Sequence, residues 1–216
     1  SVEDALLMQE AAKRNERTLM IGFVRRFGND TEILEKFIES GFMGDIYYAK
    51  AQYLRRHGNP GGWFSDMSRS GGGPLIDLGV HVIDLVRYLM GNPKVTSVYG
   101  ATFSKLASRN QLTDQPPYTS VSRGVDDVND VEDLATAMIR FENGAVLSLE
   151  TSFNLNIKED VGSIEIFGDK GGAKLDPQIQ LFTDMNGHLT DVSFHNDTAL
   201  DFDGLFENEI DHFVDV

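Results

Sequence analysis

The chain has 216 residues, enough for one large domain or for one domain and part of another. Lys and Arg total 19 against 34 Asp and Glu, a net charge of −15 that disfavours a nucleic-acid partner. The absence of Cys excludes a disulfide scaffold and a thiolate zinc site, and the longest uncharged run, residues 95–104, is too short to span a membrane. No basic-then-apolar leader is present in the sequence, and a reducing cytoplasm is the expected compartment.

Residues 2–15 open in an amphipathic helical pattern (Ala5, Leu6, Met8, Ala11, Ala12) with no initiator Met before it. Residues 18–24 form a short apolar run that predicts a buried parallel strand, so the two elements read as the last helix-strand unit of an α/β domain. Asn29, Asp30 and Thr31 offer N-caps for a helix through Leu34 and Ile38, ended by Gly41. Residues 45–56 are strand-like, and 57–73, rich in Gly, Asn, Ser and Pro, predict an irregular surface segment of the kind that often carries function. Residues 74–90 predict a helix with Gly73 at the N-cap, Pro74 at the first position and Gly91 just past the end.

Strands are then expected at 95–104, 133–141, 145–153, 163–167, 172–175, 179–183 and 189–194, with Asn143-Gly144 and Asn186-Gly187 as hairpin turns. The expected fold class is α/β, with an α+β carboxy-terminal domain built on a large, open, mostly antiparallel sheet with helices on one face. Residues 106–130 read as a long polar excursion. Leu205, Ile210, Phe213 and Val214 predict a last helix still in mid-pattern at Val216, so further chain is expected beyond both ends.

The chemistry concentrates in the 74–90 helix. Its apolar residues surround the whole circumference, and three ionisable residues interrupt them. At 100° per residue, His81 and Asp84 fall about 40° and 20° from Asp77, so the three form one narrow polar stripe. Burying such a stripe is costly unless its members are paired or face a cavity. Two readings stand: a satisfied structural network, or an acid/base site in which His81 exchanges a proton while Asp77 orients it or holds a substrate hydroxyl. The run Gly71-Gly72-Gly73 allows a close backbone approach by a ligand, and it places Asp77 in the first turn, where the helix dipole favours the anion. A third reading uses His57, Asp77, His81 and Asp84 as metal ligands. A fourth is a non-catalytic binding or oligomerisation module.

The segment GGGPLIDLGVHVID, residues 71–84, resembles the GGGxxxDxGxHxxD signature of the glucose-fructose oxidoreductase and inositol dehydrogenase family (Gfo/Idh/MocA). Gly22-Phe23-Val24-Arg25-Arg26-Phe27 resembles the family's GFNRRF segment, with Val24 where Asn is common; Gly44-Asp45-Ile46 and Ile166-Phe167-Gly168 followed by Gly171-Gly172 also fit.

The resemblance implies that residues 1–26 are a remnant of a Rossmann domain binding NAD or NADP, and that 27–216 are a substrate and oligomerisation domain. It implies hydride transfer between a nicotinamide and a secondary alcohol of a sugar or cyclitol, with catalytic His81 as base and Asp77 beside it. Arg25 and Arg26 are candidate cofactor contacts, or else a solvated Arg pair; His57, Trp63 and Asn154 are candidate substrate contacts. Ile157 and Glu159 stand where inositol-type members carry tyrosines, which argues against myo-inositol. No metal is implied, a homodimer or homotetramer through the sheet is expected, and the chain alone is expected to be inactive.

Overall fold

The computed structural model describes residues 1–124 and 127–216; Val125 and Asp126, within the expected polar excursion, lie outside the described residues. Helix α1 (Val2–Arg14) begins with a reciprocal capping box between Ser1 and Asp4. It buries none of its residues, and Leu6, Leu7 and Met8 are all more than half exposed. The expected strand at 18–24 does not form: the segment stays unpaired, with Leu19 and Ile21 exposed. Among the described residues no strand lies beside it, and a parallel strand exists only through the ladder a neighbour supplies.

A 3-10 turn (Val24–Phe27) leads into α2 (Asn29–Glu39), and Gly41 supplies the left-handed residue after it, at φ 79°. Strand β1 (Ile46–Leu54) follows. The loop beyond it folds into a 3-10 turn (Gly62–Ser65) and the short helix α3 (Met67–Ser70). Next comes a π-helical turn (Leu75–Gly79) that continues directly into α4 (Val80–Leu89).

Seven further strands, β2 (Val95–Phe103), β3 (Leu134–Phe141), β4 (Val146–Ser152), β5 (Val161–Gly168), β6 (Gly171–Leu175), β7 (Gln180–Met185) and β8 (His188–Val192), precede α5 (Gly204–Asp215). They form one eight-stranded sheet in the order β2-β3-β4-β1-β5-β6-β7-β8. Among the described residues only β1 and β4 pair in parallel; the other pairs are antiparallel. At the β7–β8 turn both Asn186 and Gly187 have positive φ, whereas at β3–β4 Gly144 alone does and the Asn143 side chain accepts from the Ala145 amide instead.

One face of the sheet carries the core. Ala49 and Ala51 on β1 are fully buried, and their small side chains leave room for α4, which sets Val82, Leu85 and Val86 among Leu147, Leu149 and Ile164. Helix α2 adds Leu34 and Phe37 to the same face. By strand register, Tyr99, Phe103, Met138, Phe182 and Leu189 lie on the opposite face and are exposed. No helix among the described residues is long and apolar enough to cross a membrane.

Candidate active site

The entrance to the 75–89 helix is built by two residues from the sheet side. The Glu132 carboxylate, 8% exposed, accepts from the Gly73 amide at 2.9 Å and the Leu75 amide at 3.2 Å, so one side chain satisfies two of the orphan donors of a helix start. Thr151, on β4, donates its hydroxyl to the Pro74 carbonyl at 2.9 Å. The Gly73 carbonyl takes both the Ile76 and the Asp77 amides. The turn that follows, Leu75–Gly79, is wider than an α-turn, a local geometry that recurs at functional sites.

The glycine run serves this construction. A Cβ on Gly73 would stand 2.5 Å from the Glu132 carbonyl oxygen, so the close backbone approach expected of a ligand is made by the protein's own chain. Gly71 ends α3 in the left-handed conformation, at φ 77°.

The wider turn divides the expected stripe. Asp84 is held by Arg26 through two bonds, Nε to Oδ2 at 2.7 Å and Nη2 to Oδ1 at 2.5 Å, and the guanidinium lies over the Tyr88 ring at 4.9 Å. Asp84 is therefore structural, tying the 24–27 turn to α4. Asp77 and His81 have no such partner: no hydrogen bond reaches the Asp77 carboxylate or the His81 ring among the described residues, and the ring's one aromatic neighbour is Phe23, edge-on at 6.3 Å. Burial pushes the Asp77 carboxyl above its ordinary range, and the nearby His81 opposes that shift. The expected preference for the anion in the first turn thus gives way to desolvation.

His81 opens on a cavity of about 670 Å³, a size usual for ligand sites. Gly22, Val24, Arg25, Tyr53, Leu78 and Glu209 line it, and Phe202 and Phe206 close the side towards α5. Arg25 is buried, not solvated: its guanidinium pairs with Asp30 at 3.0 Å and with Asp176 at 3.4 Å. Desolvation works against its charge, and Tyr53, Asp176 and Asp30 more than restore it. Two buried polar atoms at this cavity have no protein partner, Arg25 Nε and Glu209 Oε1.

The other expected contacts lie elsewhere. Asn154 is fully buried, its amide nitrogen directed to Asp133 at 3.4 Å and its oxygen to His57 Nδ1 at 3.2 Å. His57 Nε2 is engaged by the Asp114 carbonyl at 3.0 Å. Trp63 is 39% exposed and packs on Phe64, with its amide bonded to Ser122 in the excursion, which folds over the 57–70 loop. None of these three lines the cavity. The alternative metal set is dispersed too, with Asp84 on Arg26 and His57 on Asn154; among the described residues no three His, Asp or Glu side chains are grouped to hold an ion.

Sequence reasoning missed Glu132, Thr151, Tyr53, Asp176 and Glu209. Only Glu209 had a local signal, standing four residues after the buried Leu205 on the same face of an amphipathic helix. The rest reach the site through strand register or long loops.

Comparison with known proteins addresses the family and the fold. The family model "GFO/IDH/MocA C-terminal domain" matches residues 32–174. The D-glucoside 3-dehydrogenase of Escherichia coli (strain K12) is 38% identical over 192 residues, covering 87% of this chain and 52% of the relative. The levoglucosan dehydrogenase of Pseudarthrobacter phenanthrenivorans is 30% identical over 174 residues, covering 78% and 45%. A solved levoglucosan dehydrogenase in complex with NADH and levoglucosan shares the fold, with a TM-score of 0.74 at 24% identity over 98% of this chain and 59% of that one. The chain thus spans about half the length of the curated relatives it matches. Signature, sheet and family match agree: the chain belongs to the Gfo/Idh/MocA family of oxidoreductases, as its C-terminal domain.

Proposed function

We propose that the complete protein transfers a hydride between a secondary alcohol of a sugar or cyclitol and NAD or NADP, and that this chain supplies the acid/base pair and the substrate cavity. The observation that carries the reading is His81, which lines a ligand-sized cavity and, like the nearby Asp77, has no hydrogen-bond partner among the described residues, on a helix start held by Glu132 and Thr151. His81 takes the hydroxyl proton as the carbon is oxidised, and the Asp77 carboxylate stabilises the imidazolium that results.

A nicotinamide, when bound, supplies the hydride acceptor. The residues present fit one: Gly22 and Val24 form an open wall beside His81, and the apolar side chains of α1 and of 18–21 stand exposed. We assign 1–26 to the edge of the nucleotide-binding domain and 27–216 to the substrate domain. Arg25, beside Gly22 and Val24 on the cavity wall, belongs to the cofactor side, and Arg26 supports that wall through its pair with Asp84. The relatives' action on D-glucosides and levoglucosan supports a sugar substrate.

The exposed apolar face of the sheet supports assembly of two or four subunits through it. The 216-residue chain alone is expected to be inactive, because it spans about half the length of the dehydrogenases it matches.

The test is His81→Ala in the complete protein, assayed by NAD(P)H formation over a panel of sugars and cyclitols. The expected loss in kcat is ~10²- to 10⁴-fold. An unchanged kcat removes His81 from the chemistry.

A further inference from the structure

The cavity beside His81 has an electrostatic character that narrows its ligand. Among the described residues, each guanidinium lining it is already matched by carboxylate: Arg25 by both Asp30 and Asp176, and Arg55 by Asp160 at 3.3 Å. Glu209 adds a carboxylate with no cation beside it, and its Oε1 is buried without a donor. Its position is built, not incidental. Helix α5 is anchored by Leu205, 1% exposed, by Asn208, whose amide donates to the Phe27 carbonyl at 3.1 Å, and by His212 against the Phe27 ring at 5.3 Å. These contacts set the Glu209 carboxylate over Gly22, its oxygen 3.4 Å from where a Cβ on that residue would stand.

A buried acceptor without a donor and a buried donor without an acceptor, Glu209 Oε1 and Arg25 Nε, wall the same cavity. A hydroxyl group answers both needs, since it donates and accepts. A phosphate dianion answers only the second and meets an excess of negative charge.

We propose that the cavity takes a neutral polyhydroxylated ligand, whose hydroxyls donate to Glu209 and accept from Arg25, and that it rejects the phosphate esters of the same compounds. This rests on the sugar or cyclitol reading above, and it makes Glu209 a specificity-determining residue.

The experiment uses the complete protein and a panel of neutral methyl hexosides and cyclitols beside their monophosphates, with affinity read by isothermal titration and kcat/KM by NAD(P)H formation. The neutral member of the best pair is expected to be favoured at least roughly 100-fold in both readouts. Glu209→Gln, which keeps shape and removes charge, narrows that preference about tenfold. Glu209→Asp keeps the rejection of phosphate while weakening the neutral ligand, so the proposal stays testable if the Gln variant folds poorly.

Equal affinity for the phosphorylated member, no affinity for any neutral one, or a preference indifferent to Glu209→Gln would overturn it. Tight binding of a neutral member without turnover supports this proposal and defeats the hydride-transfer reading instead.

Discussion

Glu132→Ala tests the construction of the site. The carboxylate makes two charge-assisted bonds to the Gly73 and Leu75 amides in a place where it is only 8% exposed. Bonds to charged groups contribute ~1.5–3 kcal/mol each, and loss of a helix cap costs ~0.5–2 kcal/mol. Because the two bonds share one carboxylate and water can reach the half-buried Leu75, the expected loss is about 3 kcal/mol rather than the full sum. For a domain of this size that corresponds to roughly 6–12 °C in Tm. Glu132→Gln retains one acceptor oxygen and turns an NH2 towards the other amide, so about half of that loss is expected. Both variants are measured by calorimetry of the complete protein, with kcat determined below the melting range, where the Ala variant falls because Asp77 and His81 no longer share a fixed turn. A Glu132→Ala protein that melts within about 1 °C of the parent would refute the claim that this carboxylate holds the helix start.

Asp77 links stability to pH. Its carboxyl is raised in the folded protein, so the neutral form is favoured there and stability falls as pH rises from the unfolded value of 3.8 through the folded one. Asp77→Asn is therefore expected to melt higher than the parent at pH 7, to lose that advantage near pH 3, and to turn over far more slowly; urea titrations at the two pH values check it. Arg26→Leu leaves Asp84, whose side chain is 11% exposed, without its partner, and a loss of ~2–4 kcal/mol is expected, most of it recovered in the Arg26→Leu/Asp84→Leu double variant. Leu189→Asp, at a side chain 95% exposed on the open face of the sheet, is expected to abolish the proposed assembly without lowering subunit stability; light scattering that finds the same mass for parent and variant would refute assembly through this face.

The local signals in the sequence were enough for most of the elements. Alternation and Asn-Gly turns located seven strands after the central helix, and Gly41, Gly91, Gly144 and Gly187 each sit at the positive φ their positions required. The signature of residues 71–84 pointed to Asp77 and His81, because spacing along one helix is a property of neighbours in the chain.

What the sequence did not determine was who pairs with whom. A uniform 100° step put Asp84 in the same stripe as Asp77 and His81, yet the chain winds through a wider turn at Leu75–Gly79, and Arg26, distant in the chain, holds Asp84. The resemblance offered Asn154 and His57 as substrate contacts, and their contact with each other was not legible in the chain. Arg25, Tyr53, Asp176 and Glu209 stand on four separate segments that only the packed fold brings around one cavity. Periodicity and capping act over a few residues and can be read from the chain; burial, charge pairing and the shape of a cavity are sums over non-neighbours, and the tertiary structure alone decides them.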